Sequence, residues 1–453
     1  MYHEFIRLLA TNNADTNLND NFISHFVDIY AKSGGRNMNS GFTYIEIFAG
    51  AGGLSEGFLR NDFIPITHIE KDIHAVQTLR TRLAYHYLKQ NDNYVLYTDY
   101  IRGKITREKL YRKIPKKILN SVVNIEIKSQ NLQSIFKKIE ENISLFDAKK
   151  IDVIVGGPPC QAYSLVGRAR DPYKMERDPR NYLYKLYAKF LKRFKPDLFV
   201  FENVPGLLSA GNGRLWKDVK GHFNEAGYDL GYKILNAHDF GVLQRRLRVI
   251  VMGWKKGMGI DYPEFGMDED VKKYLVRDVL KDLPPLQPSQ KIMYGEYITE
   301  PSPYLVKYGI RNHDDILTLH IARKHNERDR EIYRLAIEKW KKYGERLKYT
   351  DIPVHLRTHR NMNGFLDRFK VVADDLPYSH TIVAHIAKDG HYYIHPDCNQ
   401  LRSISVREAA RLQSFPDNYY FEGPMTAKFR QIGNAVPPLM AEKIAKKIKE
   451  MMT

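Results

Sequence analysis

Short apolar segments that end in glycine or in polar residues divide the first half of the chain. They are rich in Ile, Val, Phe and Tyr, a composition typical of buried strands. We predict strands at residues 44–48, 66–70, 151–155 and 198–201. Apolar residues return at helical spacing from Leu54, over Leu132–Ile143 and over Asn181–Phe194. Because strands and helices alternate in this way, the pattern predicts an open α/β sheet.

Two further segments affect the order of the sheet. The short apolar run Tyr94–Tyr97 predicts a third strand, which would end at Thr98 and Asp99. Residues 101–150 are basic and have helical spacing, so we interpret them as an insertion of solvated basic helices.

The regular alternation stops near Asp261, and prolines, histidines and charged residues dominate as far as Gln400. One amphipathic helix is predicted there, near Asp329–Tyr343. Regular secondary structure is predicted again from a helix that has Ser405 as its N-cap and Glu408 three residues later, as in a capping box. We therefore predict a helical extension over 1–41, an ordered core over 42–260 completed by 426–453, and a smaller irregular domain over 261–425.

Composition and charge narrow the class of protein. The formal net charge of +18, with 30 Tyr and 21 Phe, favours a polyanionic partner such as nucleic acid. The alternative is a merely basic protein from an AT-rich genome. Two cysteines in 453 residues make a disulfide framework implausible, and no apolar run approaches the ~20 residues that span a bilayer. We expect a cytoplasmic protein with no membrane association.

Cys160 follows the strand at 151–155 and the sequence Gly156-Gly157-Pro158-Pro159. A thiol on a rigid loop at a strand end is a candidate nucleophile, whereas many single cysteines are buried and inert. Glu202 ends the next strand, so a carboxylate is expected at the same edge of the sheet.

The glycine-rich segment 49–53 lies between a predicted strand and a predicted helix. Such a turn brings a nucleotide-like ligand against backbone amides at a helix N-terminus. Glu70 ends a second strand twenty residues after Gly50, where ribose hydroxyls are usually held. The alternative for Glu70 is a solvated strand end.

Two basic segments are candidates for contact with a phosphate backbone. Residues 163–171 contain glycine and arginine, as a loop that closes over such a backbone would need, although an ordinary exposed loop has a similar composition. Arg246 and Arg248 are two residues apart, so they face the same side of an extended chain and are expected to hold a phosphate and a base oxygen together.

In combination, these segments resemble the motifs of the bacterial DNA (cytosine-5) methyltransferases, in the order that the family has them. Residues 48–53 resemble the S-adenosylmethionine loop, although Glu46 stands where the family more often has Asp. Residues 157–161 resemble the nucleophile motif, and residues 202–204 resemble the acid motif. Gln244, Arg246 and Arg248 resemble the Gln-x-Arg-x-Arg motif. Residues 402–418 and 433–438 resemble two closing motifs.

The resemblance implies a Rossmann-like, class I S-adenosylmethionine-dependent methyltransferase sheet with a target-recognition domain at 261–425. It implies methyl transfer to C5 of a flipped-out cytosine within a short DNA sequence, through a covalent bond between Cys160 and C6. Glu202 would protonate N3 of the base, and Arg168 would help to close the loop behind it.

The resemblance and the local patterns together assign three groups of residues and no metal. The catalytic group is Cys160, Glu202, Arg246 and Arg248. The cofactor group is Phe48, Ala49, Gly50, Gly52, Gly53, Glu70, Lys71, Asp99, Pro159, Asn434 and Ala435. The DNA-binding group is Gln161, Ser164, Arg168, Arg170 and Gln244.

Two alternatives stay open at this point: an RNA (tRNA) cytosine-5 methyltransferase, and a DNA-binding relative without catalysis. The expected partner is double-stranded DNA, bound by a monomer. A cognate restriction endonuclease, a wider phage-defence system and a solitary role are all compatible with the sequence.

Overall fold

A seven-stranded sheet lies at the centre of the computed structural model, which describes residues 41–159 and 182–453. The predicted helix within 1–41 and the predicted residues Cys160, Gln161, Ser164, Arg168 and Arg170 lie outside the described residues. The strands are β1 Thr43–Ile47, β2 Ile64–Glu70, β3 Val122–Asn124, β4 Val153–Gly156, β5 Leu198–Asn203, β6 Tyr228–Asn236 and β7 Leu247–Lys255.

The strand order is β3-β2-β1-β4-β5-β7-β6. The first five strands of this order pair in parallel, whereas β7 runs antiparallel to both β5 and β6. The order reverses direction at β1, which is where open α/β sheets bind ligands. This arrangement confirms the predicted Rossmann-like fold class.

Helices cover both faces of the sheet. Its central strands therefore carry apolar side chains on both faces, because both are buried. Val153 and Val155 of β4 point into one core, while Ile154 points into the other. The α-helices are α1 Gly53–Leu59, α2 Ile73–Gln90, α3 Tyr94–Ile101, α4 Arg107–Tyr111, α5 Lys116–Asn120, α6 Leu132–Leu145, α7 Leu183–Phe194, α8 Gly206–Ser209, α9 Arg214–Glu225, α10 Pro303–Lys307, α11 Glu327–Tyr343, α12 Val406–Leu412, α13 Met425–Asn434 and α14 Pro438–Met452. None of the helices in the described part of the chain is long and apolar enough to cross a membrane.

The predicted third strand is wrong, because Tyr94–Ile101 forms α3. Its tyrosines pack on α2, where the Tyr85 and Tyr97 rings lie 5.1 Å apart, and the Tyr97 hydroxyl donates to the Asn418 carbonyl at 2.7 Å. The third strand is β3 instead, within the segment that we interpreted as an insertion of solvated helices. That segment is therefore partly built into the sheet, and its α6 confirms the predicted helix.

Residues beyond Lys255 form a small antiparallel pair, β8 Lys291–Gly295 with β9 Leu317–Ile321, together with α10, α11 and short 3-10 helices. The predicted cap of α12 is confirmed: Ser405 and Glu408 exchange hydrogen bonds between side chains and main chain. Val406 and Leu412 of α12 pack in the same core as Val153 and Val155. The division of the chain at residues 261 and 425 stays a prediction.

Candidate active site

Glu202 and Arg248 form an ion pair at one edge of the sheet, with Glu202 Oε1 2.7 Å from Arg248 Nε. Glu202 lies near the end of β5, opposite Ile250 of the antiparallel β7. Both residues are largely buried, with 9% of Glu202 and 8% of Arg248 exposed. Because Arg248 Nη1 donates to the Leu247 carbonyl, the guanidinium is held in one orientation. The pair leaves Glu202 Oε2 without a hydrogen-bond donor among the described residues.

The loop that leads to Cys160 is packed against this carboxylate. A Cβ atom at Gly157 would lie 2.4 Å from Glu202 Oε2, so any side chain at this position would displace the carboxylate. Asn203 Nδ2 donates to the Pro158 carbonyl at 3.3 Å and fixes the loop two residues before the cysteine. Pro159 is the last described residue of this loop. The carboxylate and the start of the nucleophile loop therefore meet, as the sequence predicted.

Arg246 and Gln244 do not face a ligand, which corrects two sequence-based assignments. Both side chains are completely buried. Arg246 donates to the carbonyls of Ile382, Gly433 and Ala435 at 2.6–3.1 Å. The Gln244 side chain donates from Nε2 to the Leu412 carbonyl and to Gln413 Oε1, and its Oε1 accepts from the Ile382 main-chain N–H. Because buried polar groups need such partners, these contacts account for the positions of both side chains in the interior.

The turn after β1 has the backbone conformation that the glycine cluster predicts. Phe48, Gly50 and Gly52 all have positive φ values, of 57°, 55° and 82°. A Cβ at Gly52 would lie 2.6 Å from Leu79, whereas one at Gly50 would meet nothing within 4 Å. The turn is therefore tightly packed underneath Gly52 and open at Gly50.

Glu70 lies beside this open space at the end of β2. Its carboxylate accepts from the amides of Gly50, Lys71 and Asp72, each at 2.8 Å. Burial raises the pKa of Glu70, and these three amide donors oppose that rise. Asn124, at the end of β3, donates to the Glu70 and Lys71 carbonyls. Glu70 is thus not a solvated strand end.

Glu46, which stands where the family more often has Asp, also lies in this region. Glu46 is 2% exposed within β1, and burial together with the Glu70 charge raises its pKa well above the usual range. His68 is its neighbour on β2, 3.8 Å away, and burial lowers the pKa of His68 to about 3. Burial thus disfavours the charged form of both side chains.

Some of the other predicted cofactor residues pack at the turn after β1, whereas the rest are exposed or lie on other elements. A Cβ at Gly53 would lie 3.0 Å from Ala435, so the turn after β1 meets the segment that follows α13, next to the buried Ala49. Asn434 is exposed, and Lys71 lies 3.0 Å from Glu126 in an exposed ion pair. Asp99 is on α3, 3.1 Å from Lys104, and not at a strand end, so the reason for its assignment is removed.

Sequence reasoning missed three residues that hold other site residues in position. Gly157, Asn203 and Asn124 carry no charge and no nucleophile, although each fixes a predicted site residue. Two of them had a signal in the sequence: the glycine directly before Pro158 and the asparagine directly after Glu202.

A cavity of about 530 Å³ opens beside the ion pair. One part of its wall is Val204, Pro205 and the segment around Arg248, and the remainder comes from residues between Trp340 and Thr381. Arg248, the partner of the candidate catalytic acid, therefore borders a space large enough for a small ligand.

This geometry agrees with the comparison with known families. The family described as C-5 cytosine-specific DNA methylase matches residues 113–450, which is most of the chain. The chain belongs to this family. The predicted enzyme class, a DNA (cytosine-5) methyltransferase, is confirmed.

Curated relatives support the same assignment. The Type II methyltransferase M.Bpa9945I of Bacillus paralicheniformis is 42% identical over 441 residues, which cover 90% of this chain and 98% of that protein. The Type II methyltransferase M1.HphI of Haemophilus parahaemolyticus is 30% identical, over 91% and 87% of the two chains. A solved DNA modification methyltransferase from an Escherichia coli prophage has the same fold, with a TM-score of 0.59, 22% identity and coverage of 91% and 99%.

Replacement of Gly157 by alanine tests the packing of the methyltransferase site. We expect Gly157→Ala to lower the rate of methyl transfer on the order of 100-fold, because the new methyl group displaces Glu202 and small displacements at a reacting centre are costly. The matched control is Gly221→Ala, at a half-buried position of α9 where a Cβ meets nothing within 4 Å. Equal activity of the two variants, with unchanged melting temperatures, would show that Glu202 does not need the space above Gly157.

Proposed function

We propose that this enzyme transfers the methyl group of S-adenosylmethionine to C5 of a cytosine in a specific short sequence of double-stranded DNA. We further propose that it is the modification enzyme of a type II restriction-modification system and acts as a monomer in the cytoplasm. The observation that carries the proposal is the Glu202–Arg248 pair beside the loop that enters Cys160. The type II assignment is supported by M.Bpa9945I, which bears that name and matches over nearly its whole length.

The residues fit the chemistry because C5 of cytosine is a poor nucleophile. We propose that the Cys160 thiolate adds to C6 while a protonated Glu202 Oε2 donates to N3, which makes C5 electron-rich like an enamine. Arg248 holds Oε1, so that Oε2 stays directed away from the ion pair. Cationic neighbours favour the thiolate form of a cysteine.

The adduct then needs to be released. Once C5 carries the methyl group, a base removes the C5 proton and the electron pair forms the C5–C6 double bond as the thiolate leaves, while N3 returns its proton to Glu202. A cytosine within a duplex is out of reach of these groups, so we propose that it is flipped out, with Arg168 and the segment 163–171 closing behind it. Arg170 and Ser164 on the same segment, and Gln161 just before it, are proposed DNA contacts.

The turn after β1 and Glu70 fit a nucleoside-containing cofactor. Gly50 leaves open space, and the half-buried Glu70 carboxylate beside it is an acceptor for ribose hydroxyls. We propose that Phe48, Gly52, Gly53 and Ala435 complete this pocket. S-adenosylmethionine, when bound, supplies an electrophilic methyl group on its sulfonium centre.

Sequence recognition is proposed to lie in residues 261–425. Direct readout needs side chains other than those that do the chemistry. Residues between Trp340 and Thr381 line the cavity beside Glu202, so this region reaches the place where the target base would be held.

Glu70→Ala tests the cofactor pocket. We expect S-adenosylmethionine to bind more weakly by roughly 1.5–3 kcal/mol, the range for hydrogen bonds to a charged group. Isothermal titration calorimetry measures the change. Glu126→Ala is the control, since it removes the same charge from an exposed residue close by, and it should bind the cofactor like the wild type. Wild-type affinity in a folded Glu70→Ala protein would dismiss the proposed role.

Trapping with a fluorinated base tests the covalent mechanism. Fluorine at C5 cannot leave as a cation, so duplex DNA with 5-fluorocytosine at the target should form a denaturant-stable complex through Cys160 when S-adenosylmethionine is present. Cys160→Ala should form none. Glu202→Gln should trap slowly, because thiolate addition loses its proton donor.

The substrate for this experiment comes from bisulfite sequencing of DNA from a host that expresses the enzyme, which identifies the methylated site. Peptide mapping then locates the adduct. Attachment at Cys398, or no adduct at a verified site, would overturn the mechanism. Methylation of tRNA in place of DNA would favour the RNA alternative.

A further inference from the structure

Two arginines of the cavity beside Glu202 have no role in the chemistry described above. Arg245 and Arg346 both line this cavity, and they come from segments a hundred residues apart in the chain. Both side chains are exposed. Within residues 41–159 and 182–453, neither guanidinium has a hydrogen bond or an ion pair.

Arg245 projects from a rigid support. Its neighbours Gln244 and Arg246 are completely buried, so alternation along the extended chain turns Arg245 outward. Its main chain is fixed on both sides, since its amide donates to the Ser379 carbonyl at 2.9 Å and its carbonyl accepts from Thr381 Oγ1 at 2.6 Å. The base of the side chain is therefore preorganised.

Arg346 is anchored by the residues around it. It follows Gly344, the αL residue that ends α11, and precedes Leu347, which is 5% exposed in a core with Ile332 and Ile337. Its neighbour Glu345 lies 3.7 Å from Lys339 and so points to another partner. The Arg346 guanidinium is left facing the cavity.

Among the described residues that line this cavity, Arg245, Arg248 and Arg346 are charged, and none is Asp or Glu. The carboxylate of Asp375, next to a lining residue, accepts from Trp340 Nε1 at 3.0 Å. Arg248 pairs with Glu202, whereas Arg245 and Arg346 have no acidic partner within the described part of the chain. Phosphate oxygens are ligands that guanidinium groups bind well.

We propose that Arg245 and Arg346 form a clamp for the sugar-phosphate backbone of the DNA strand that carries the target cytosine. The proposal rests on the proposed function. A base held at Glu202 lies next to Arg248, which lines the cavity, so its own backbone is brought close to the cavity, and each nucleotide carries one negative charge. The clamp positions this strand without reading its sequence.

The salt dependence of DNA binding tests the clamp. We expect Arg245→Gln and Arg346→Gln each to reduce the slope of log K against log [salt] by about 0.9, and the double variant to reduce it by about twice that amount. Binding is measured by fluorescence anisotropy with a duplex that carries the site identified by bisulfite sequencing. Arg245→Lys should keep the wild-type slope, because it keeps the charge.

Arg112→Gln is the matched control. It removes the same charge from an exposed arginine at the end of α4, outside the cavity, and it should leave the slope unchanged. Cofactor affinity and melting temperature should stay at wild-type values in all variants, which separates the clamp from a structural role.

Three results would overturn the clamp: an unchanged slope in the double variant, an equal loss in Arg112→Gln, or a changed sequence preference at an unaltered slope. Failure of the proposed function looks different. In that case the wild type methylates no duplex DNA at all, whereas failure of the clamp alone leaves an active enzyme whose variants bind DNA with the wild-type salt dependence.

Discussion

Strand β7 runs against β5, and this reversal brings Arg248 to within 2.7 Å of Glu202. In a fully parallel sheet, the first residues of β7 would lie at the opposite edge from the ends of β4 and β5. The antiparallel pairing instead places a cation, a carboxylate and the loop that leads to Cys160 at one edge. The separation of the two glutamate oxygens, one paired with Arg248 and one facing Gly157, follows from the same pairing.

The site also depends on segments from the end of the chain. Arg246 donates to the carbonyls of Gly433 and Ala435, which connects the start of β7 to the segment after α13. That segment packs against Gly53 in the turn after β1. The cofactor turn and the catalytic pair are therefore joined through one buried arginine, because its guanidinium carries several donors in a rigid plane.

The sequence predicted most of the sheet and the strand-end positions of two acids, because buried strands and strand-end residues have strong local patterns. Glu202 and Glu70 lie at strand ends as expected. Tyr94–Tyr97 misled the prediction, since a short apolar run fits a strand or a helix equally and only its packing on α2 decides. Arg246 was assigned to the base because extended-chain alternation gives the side of a residue, whereas burial against Ile382, Gly433 and Ala435 depends on contacts far along the chain.

The central claim is that Glu202 and Arg248 act as a unit in methyl transfer. A double-mutant cycle with Glu202→Gln, Arg248→Gln and the double variant measures this directly, with kcat/KM on the identified DNA site as the readout. We expect a coupling free energy of about 1.5–3 kcal/mol, in the range of residues in direct contact. Losses that add to within about 0.5 kcal/mol would mean that the two residues act independently, which would contradict the account.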